Sequence, residues 1–234
     1  MKTIASRQNA LFKRVRAALR EHDREIALEG RKQVADALAA GWKPVLTIGR
    51  GDSQEDVSFA PELFDQLSDT RSPQDVIALF ERPRSSFADL LKRTDSIVVA
   101  LDGVQDPGNV GTIVRLAAAF DCAGVALLPG CADPFSPKSI RASAGAALAV
   151  PIANATADEV LASGWPLFAT AADGAPVEVP SRGAILVFGS EGAGVSERLR
   201  TSAKVVRIPI SRRVESLNVA ASAAILLSKS YESR

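Results

Sequence analysis

The stretch Leu101-Asp-Gly-Val-Gln-Asp-Pro-Gly-Asn-Val-Gly-Thr-Ile-Val-Arg115 decides how the chain is read. It closes an apolar run beginning at Ile97, breaks at a Gly/Pro-rich turn, and enters a helix whose Val110, Ile113, Val114, Ala117 and Ala118 share one buried stripe. A strand that turns into a helix is half of a βαβ unit, and the texture recurs downstream. Strands are expected at 97–101, 125–128, 149–152, 167–171, 185–188 and 205–208, and helices near 110–120, 137–147, 158–163 and 216–229. Short β-branched runs alternating with helices describe an α/β domain with a parallel sheet covered on both faces.

Upstream the texture changes. The polar, proline-containing segment Glu81-Arg-Pro-Arg-Ser-Ser places a domain boundary between about 82 and 95, giving domains 1–90 and 95–234. In the first, Leu11, Phe12, Val15, Ala18 and Leu19 form one apolar stripe, while Arg7, Lys13, Arg14, Arg16 and Arg20 occupy the rest of that helix and its approach. A strand at 25–28, a helix at 31–40, a β-rich run at 44–48, loop signals at 51–58, a short helix at 61–67 and a strand at 76–80 complete a small α/β unit.

Composition narrows the chemistry. The 234 residues are 47% apolar and 24% charged, an ordinary globular balance, with one histidine (His22) and two cysteines, Cys122 and Cys131. That inventory argues against a His-based zinc site, a Ser-His-Asp triad and a disulfide scaffold, and no metal is expected. The cysteines read as reduced and structural. Neither a signal-peptide core nor a run of about 18 apolar residues is visible, so a soluble cytoplasmic protein with no membrane partner is expected. The formal charge of +1 hides a segregation: residues 1–50 carry +6, residues 51–95 carry −5, and the remainder balances.

In open parallel sheets ligands sit outside the carboxyl ends of the strands, which directs attention to three loops. In the first, Asn109 is a candidate N-cap, and Arg115 would pass for a solvated residue were it not near the loop-facing end of a helix that follows a strand. The second, Phe188-Gly-Ser-Glu-Gly-Ala-Gly-Val-Ser, permits tight turns and close approach to a ligand. It fits neither G-x-G-x-x-G nor a P-loop, and Glu191 within it is unfavourable beside a pyrophosphate, which argues against a nicotinamide oxidoreductase. In the third, Ile208-Pro-Ile-Ser-Arg-Arg-Val-Glu-Ser-Leu-Asn218 leads into a last helix rich in alanine and serine.

Taken together, Asn109-Val-Gly-Thr-Ile-Val-Arg115, Phe188-Gly-Ser-Glu-Gly-Ala-Gly194 and Ile208-Pro209 with Glu215-Ser-Leu-Asn-Val219 resemble the three motifs of the SpoU/TrmH family of RNA ribose 2′-O-methyltransferases, in the SPOUT superfamily. The resemblance covers about residues 96–230. The front section, with Ser6-Arg-Gln-Asn9 and Leu28-Glu-Gly30, is similar to the ribosomal-protein-like substrate-binding extension of many members.

The resemblance implies a C-terminal segment threaded into a deep trefoil knot, otherwise very rare, a homodimer, S-adenosylmethionine as cofactor, and ribosomal or transfer RNA as partner. It assigns Gly189, Ile208 and Leu217 to the cofactor, with Thr170 beside them, and Asn109, Arg115, Glu191, Ser216 and Asn218 to the active site. Arg7, Lys13 and Arg14 of the basic front, and Arg212 and Arg213 beside the third motif, are expected on RNA phosphate. Arg212 stands where many members have glycine. Because a guanidinium stays protonated, the reading for Arg115 is a cation that steadies phosphate and developing alkoxide rather than a base. A catalytically silent RNA-binding member is the rival reading, disfavoured by the presence of Asn109, Arg115, Glu191 and Asn218 together.

Overall fold

The computed structural model describes residues 3–21, 24–67, 75–175, 179–211 and 213–234, so His22 and Arg212 lie outside the described residues. The chain divides into two compact units after Pro83, with Phe135–Pro137 grouped with the first.

The first unit comprises β1 (Thr3–Ile4), α1 (Ala10–Ala18), β2 (Glu25–Glu29), α2 (Arg31–Ala39), β3 (Pro44–Arg50), β4 (Val57–Phe59), α3 (Pro61–Phe64) and β5 (Val76–Glu81). Its sheet has the order β1-β4-β3-β5-β2, parallel at β1/β4 and β3/β4 and antiparallel where β5 meets β2 and β3. Phe12, Val15 and Ala18 of α1 pack into the cluster that holds Phe59, Phe64 and Leu79. Asn9 caps α1 by accepting from the Leu11 N–H at 2.8 Å. Strand β4 departs from the loop expected at 51–58: its first two residues sit in that loop, held when Thr47 donates its N–H to Asp56 Oδ2 at 2.8 Å. A three-residue strand has too little alternation to announce itself.

The second unit comprises α4 (Phe87–Leu91), β6 (Ile97–Asp102), α5 (Pro107–Ala119), β7 (Gly124–Leu127), α6 (Pro137–Ala142), a 3₁₀ turn (Ala146–Leu148), β8 (Ile152–Asn154), α7 (Ala157–Ala162), β9 (Leu167–Ala175), β10 (Ala184–Gly189), α8 (Glu197–Arg200), β11 (Lys204–Val206) and α9 (Val219–Glu232). All six strands are parallel in the order β11-β9-β10-β6-β7-β8. Every residue of β10, and all of β6 but Asp102, is buried. Strands covered on both faces read as continuous apolar runs, each large aliphatic side chain contributing about 1.5–3 kcal/mol. Among the described residues no helix is long and apolar enough to cross a membrane.

Several boundaries move for local reasons. The expected helix at 137–147 ends at Ala142, because Ala144 (φ 50°) and Gly145 (φ 86°) turn left-handed. The expected strand 149–152 is instead β8, whose Ala153 and Asn154 pair with Ala126 and Leu127. The last helix opens at Val219 rather than 216, since Asn218 caps it. Short helices α4 and α8 had no legible period. Cys122 is buried and burial pushes its thiol up to about 12, an inert side chain.

Candidate active site

Strands β6 and β10 are neighbours, yet the chain leaves β6 toward β7 on one side and leaves β10 toward β11 on the other. Such a switch point opens a crevice at the carboxyl ends of the strands. One diverging connection leads into Asn109 in the first turn of α5, and the other carries Glu191.

Asp106 caps α5 by accepting the Asn109 N–H at 3.0 Å, with Pro107 in the first helical position, where its missing N–H costs nothing. This corrects the expectation that Asn109 is the cap. The Asn109 side chain is thereby left for other work: its Nδ2 donates to Glu191 Oε1 at 2.7 Å, and its Oδ1 accepts from Asn218 Nδ2 at 3.1 Å. Asn218 Oδ1 in turn accepts the N–H groups of Ala220 (2.9 Å) and Ala221 (3.3 Å) at the start of α9. The backbone donors of α9 leave only one orientation for the Asn218 amide, with its NH₂ toward Asn109. That turns the Asn109 NH₂ toward Glu191, so one directed chain of hydrogen bonds ties all three loops together. Each amide keeps one further N–H.

Glu191 is the anionic end of this chain. Burial works against its charge, but the bond from Asn109 and the N–H groups of Glu191, Gln105 and Asp106 outweigh it and hold the carboxyl below its ordinary value of 4.5. A carboxylate so engaged orients its partners and is a poor proton acceptor. A depressed pKa contributes stability that is present above the unfolded value and lost as pH falls through the folded one. The stability difference between the native protein and Glu191→Gln is therefore expected to hold constant from neutral pH down to about 4.5, and to shrink only below it. Denaturant titrations at a series of pH values check this; a difference already fading between pH 7 and 5 would contradict it.

The glycine loop is closed on itself. Ser190 N–H donates to Gly194 O at 3.1 Å, Gly194 N–H donates to Ser190 O at 3.0 Å, and Ser196 N–H donates to Asp102 Oδ2 at 2.7 Å. Gly189 lies so near the returning strand of this loop that a Cβ there would meet Gly194 C at 1.9 Å and Val195 N at 2.0 Å. Only glycine permits that closure.

Behind the loop is a cavity of about 580 Å³, within the range of small-molecule sites. It is lined by Thr170, Gly189, Glu191, Ile208, Ser216, Leu217 and Asn218, all expected site residues, together with the apolar side chains of Val206, Val219 and Leu226. Asn109 joins through its hydrogen bonds to Glu191 and Asn218. Arg115 does not line the cavity: it is exposed on α5, and among the described residues it has no hydrogen-bond or ion-pair partner. Arg213 is exposed on the loop before Ser216.

Three residues at this site escaped the sequence reading. Asp106 had a signal, since Asp-Pro followed by a helical stripe is a cap and first-position pair. Asp173 and Arg200 both line the cavity and pair there at 2.5 Å. Nothing local marks two residues that far apart in the chain; their meeting depends on the fold that pairs β9 with β11, the strand that follows α8.

A parallel sheet with a glycine-walled cavity beside the ends of β9, β10 and β11, and a polar amide chain on its edge, defines an α/β domain built to hold a small cofactor beside a second substrate. Residues 96–228 match the SpoU rRNA Methylase family model, and the chain belongs to that family. It is 36% identical over 177 residues (72% of this chain, 69% of the relative) to the 23S rRNA (guanosine(2553)-2′-O)-methyltransferase RlmP of Bacillus subtilis. It is 28% identical to the 23S rRNA (uridine(2479)-2′-O)-methyltransferase of Streptomyces viridochromogenes, covering 99% of this chain and 93% of the relative. Among solved structures, an AdoMet-bound rRNA methyltransferase from Sinorhizobium meliloti superposes with a TM-score of 0.85 at 30% identity, covering 99% of this chain and 98% of that one.

Proposed function

We propose that this protein transfers the methyl group of S-adenosylmethionine to a ribose 2′-hydroxyl of ribosomal RNA. The observation that carries the reading is the convergence of the second and third family motifs on one cavity, to which Asn109 of the first is tied by its hydrogen bonds with Glu191 and Asn218. Relatives named for 23S ribosomal RNA positions favour ribosomal over transfer RNA.

The cavity suits the cofactor. Ile208, Leu217 and Leu226 offer an apolar wall for a purine, while Thr170, Ser216 and the backbone around Gly189 offer polar contacts. S-adenosylmethionine, when bound, supplies a methyl group already activated by its sulfonium, so no other activation of the donor is needed. The chain's own task is to align the ribose oxygen, and orientation of this kind supplies roughly 7–11 kcal/mol in well-ordered systems. The remaining N–H groups of Asn109 and Asn218 are the donors that hold the ribose or its phosphate. Arg115, cationic and without a partner among the described residues, binds phosphate and the developing alkoxide, and the proton leaves to phosphate or solvent. Arg213, with Arg212 beside it in sequence, meets RNA phosphate near the cavity.

The same reading assigns residues 1–90 to substrate binding and 95–234 to catalysis, in the cytoplasm. It includes a trefoil knot made as the segment after β11 passes the β10–β11 loop, supported by Ile208 and Leu217 sharing a cavity with Gly189 and Glu191. It also includes a homodimer, for which Ala118, expected on the buried stripe of α5 but exposed, offers a face with the exposed Ala119, Ala221 and Tyr231 of α5 and α9.

The test has two arms. S-adenosylhomocysteine is expected to raise the melting temperature where NAD does not, and a ribose-methylation map of total RNA is expected to lose a 2′-O-methyl site when the gene is deleted. An unaltered map, together with no transfer to bulk ribosomal RNA in vitro, would sink the proposal.

A further inference from the structure

Helix α1 carries three cations, Lys13, Arg14 and Arg16, and no acidic residue, with Arg20 just past its C-cap Leu19, and the structure divides these four. Arg14 points to β2, where its Nε donates to Glu25 Oε2 at 2.8 Å and its Nη2 to the other carboxylate oxygen. That bond lowers the Glu25 pKa and raises that of Arg14, so the pair is neutralised. Lys13 and Arg16, with Arg20 in the closing turn, are all exposed and have no ion-pair or hydrogen-bond partner among the described residues. Arg20 sits in the turn that closes α1, after a C-cap Leu19 that keeps right-handed helical dihedrals, and its N–H donates to Ala17 O at 2.9 Å. At 100° per residue these three fall within about 60° of one another, opposite in sense to the turn that carries Arg14 toward β2. They form one stripe about 10 Å long at 1.5 Å per residue.

Like charges at three- and four-residue spacing repel, and a helix gains nothing from such an arrangement by itself. A line of phosphates is the anion that fits it. Phe12, the aromatic residue of α1, is buried, so the stripe has no ring on which a base could stack.

We infer that Lys13, Arg16 and Arg20 are a phosphate-tracking rail that holds RNA without reading its sequence, and that Arg14 takes no part. The inference rests on the RNA-methylating function proposed above, and places base discrimination elsewhere in the protein. Phosphate contacts position, and they make binding salt-dependent.

The probes are two fluorescein-labelled RNA hairpins of equal length and unrelated sequence, bound to the full chain between 50 and 300 mM salt. The triple variant K13Q/R16Q/R20Q is expected to weaken both hairpins equally and lower the slope of log K against log salt by about two, with unchanged circular dichroism and S-adenosylhomocysteine affinity. Arg14→Gln is expected to leave the slope as in the native protein. An unaltered slope in the triple variant, or an equal drop in Arg14→Gln, would overturn the rail. A native protein that binds both hairpins steeply but methylates no RNA would overturn the enzymatic reading and leave the rail standing.

Discussion

Arg115→Ala is expected to reduce single-turnover methyl transfer to ribosomal RNA by roughly 10²–10³-fold, the usual effect of losing a main electrostatic donor. Its melting temperature and cofactor affinity should not change. The structure makes this a clean experiment. Arg115 is exposed, lies outside the cavity and has no protein partner among the described residues, so its removal breaks no contact in the fold. Alanine is also the best helix former, and exposed substitutions of this kind stay within about 0.5 kcal/mol. Any rate lost is then lost to contact with the RNA or its reacting oxygen. Arg115→Lys separates two forms of that role: a lysine is a point charge without the planar fork, so a rate near the native one would refute a bidentate guanidinium contact. An unchanged rate in Arg115→Ala would remove the residue from catalysis.

How much of this was legible before the fold was known differs from residue to residue. The parallel sheet was legible because β10 is apolar from end to end and β6 as far as Leu101, and the loops worth watching followed from where such sheets bind ligands. Glu191 stood out as a carboxylate inside the glycine loop, and Asn218 was assigned by the family resemblance. The direction of the amide chain was not legible: it depends on Asn218 spending its oxygen on the N–H groups of Ala220 and Ala221, a backbone fact. The cap was misplaced at Asn109 for the same reason, since Asp106 takes it and leaves the Asn109 side chain for the site. Arg14 shows the limit of charge counting. It adds to the basic face in one dimension, yet Glu25, eleven positions on, neutralises it once β2 lies against α1. Pairings of this sort, like Asp173 with Arg200, are made by topology and leave no trace in local spacing.

Asn218 joins a structural duty to a positioning one, and substitutions can pull the two apart. Its oxygen caps α9, a contribution of about 0.5–2 kcal/mol that alanine would forfeit, and its NH₂ fixes the Asn109 amide. Aspartate is as good a cap as asparagine, and it accepts the same N–H groups. It has no proton to give to Asn109 Oδ1, and it sets a second carboxylate near Glu191. Asn218→Asp is therefore expected to keep the native melting temperature near neutral pH while the transfer rate falls by about 10²-fold, the scale of loss that a small misplacement of the reacting groups produces. Asn218→Ala should lose both stability and rate. Chemical denaturation beside single-turnover kinetics distinguishes the cases. If Asn218→Asp kept full activity, the directed chain from α9 to Glu191 would be a consequence of packing and nothing more. If it unfolded as readily as Asn218→Ala, the cap would not be what holds the start of α9.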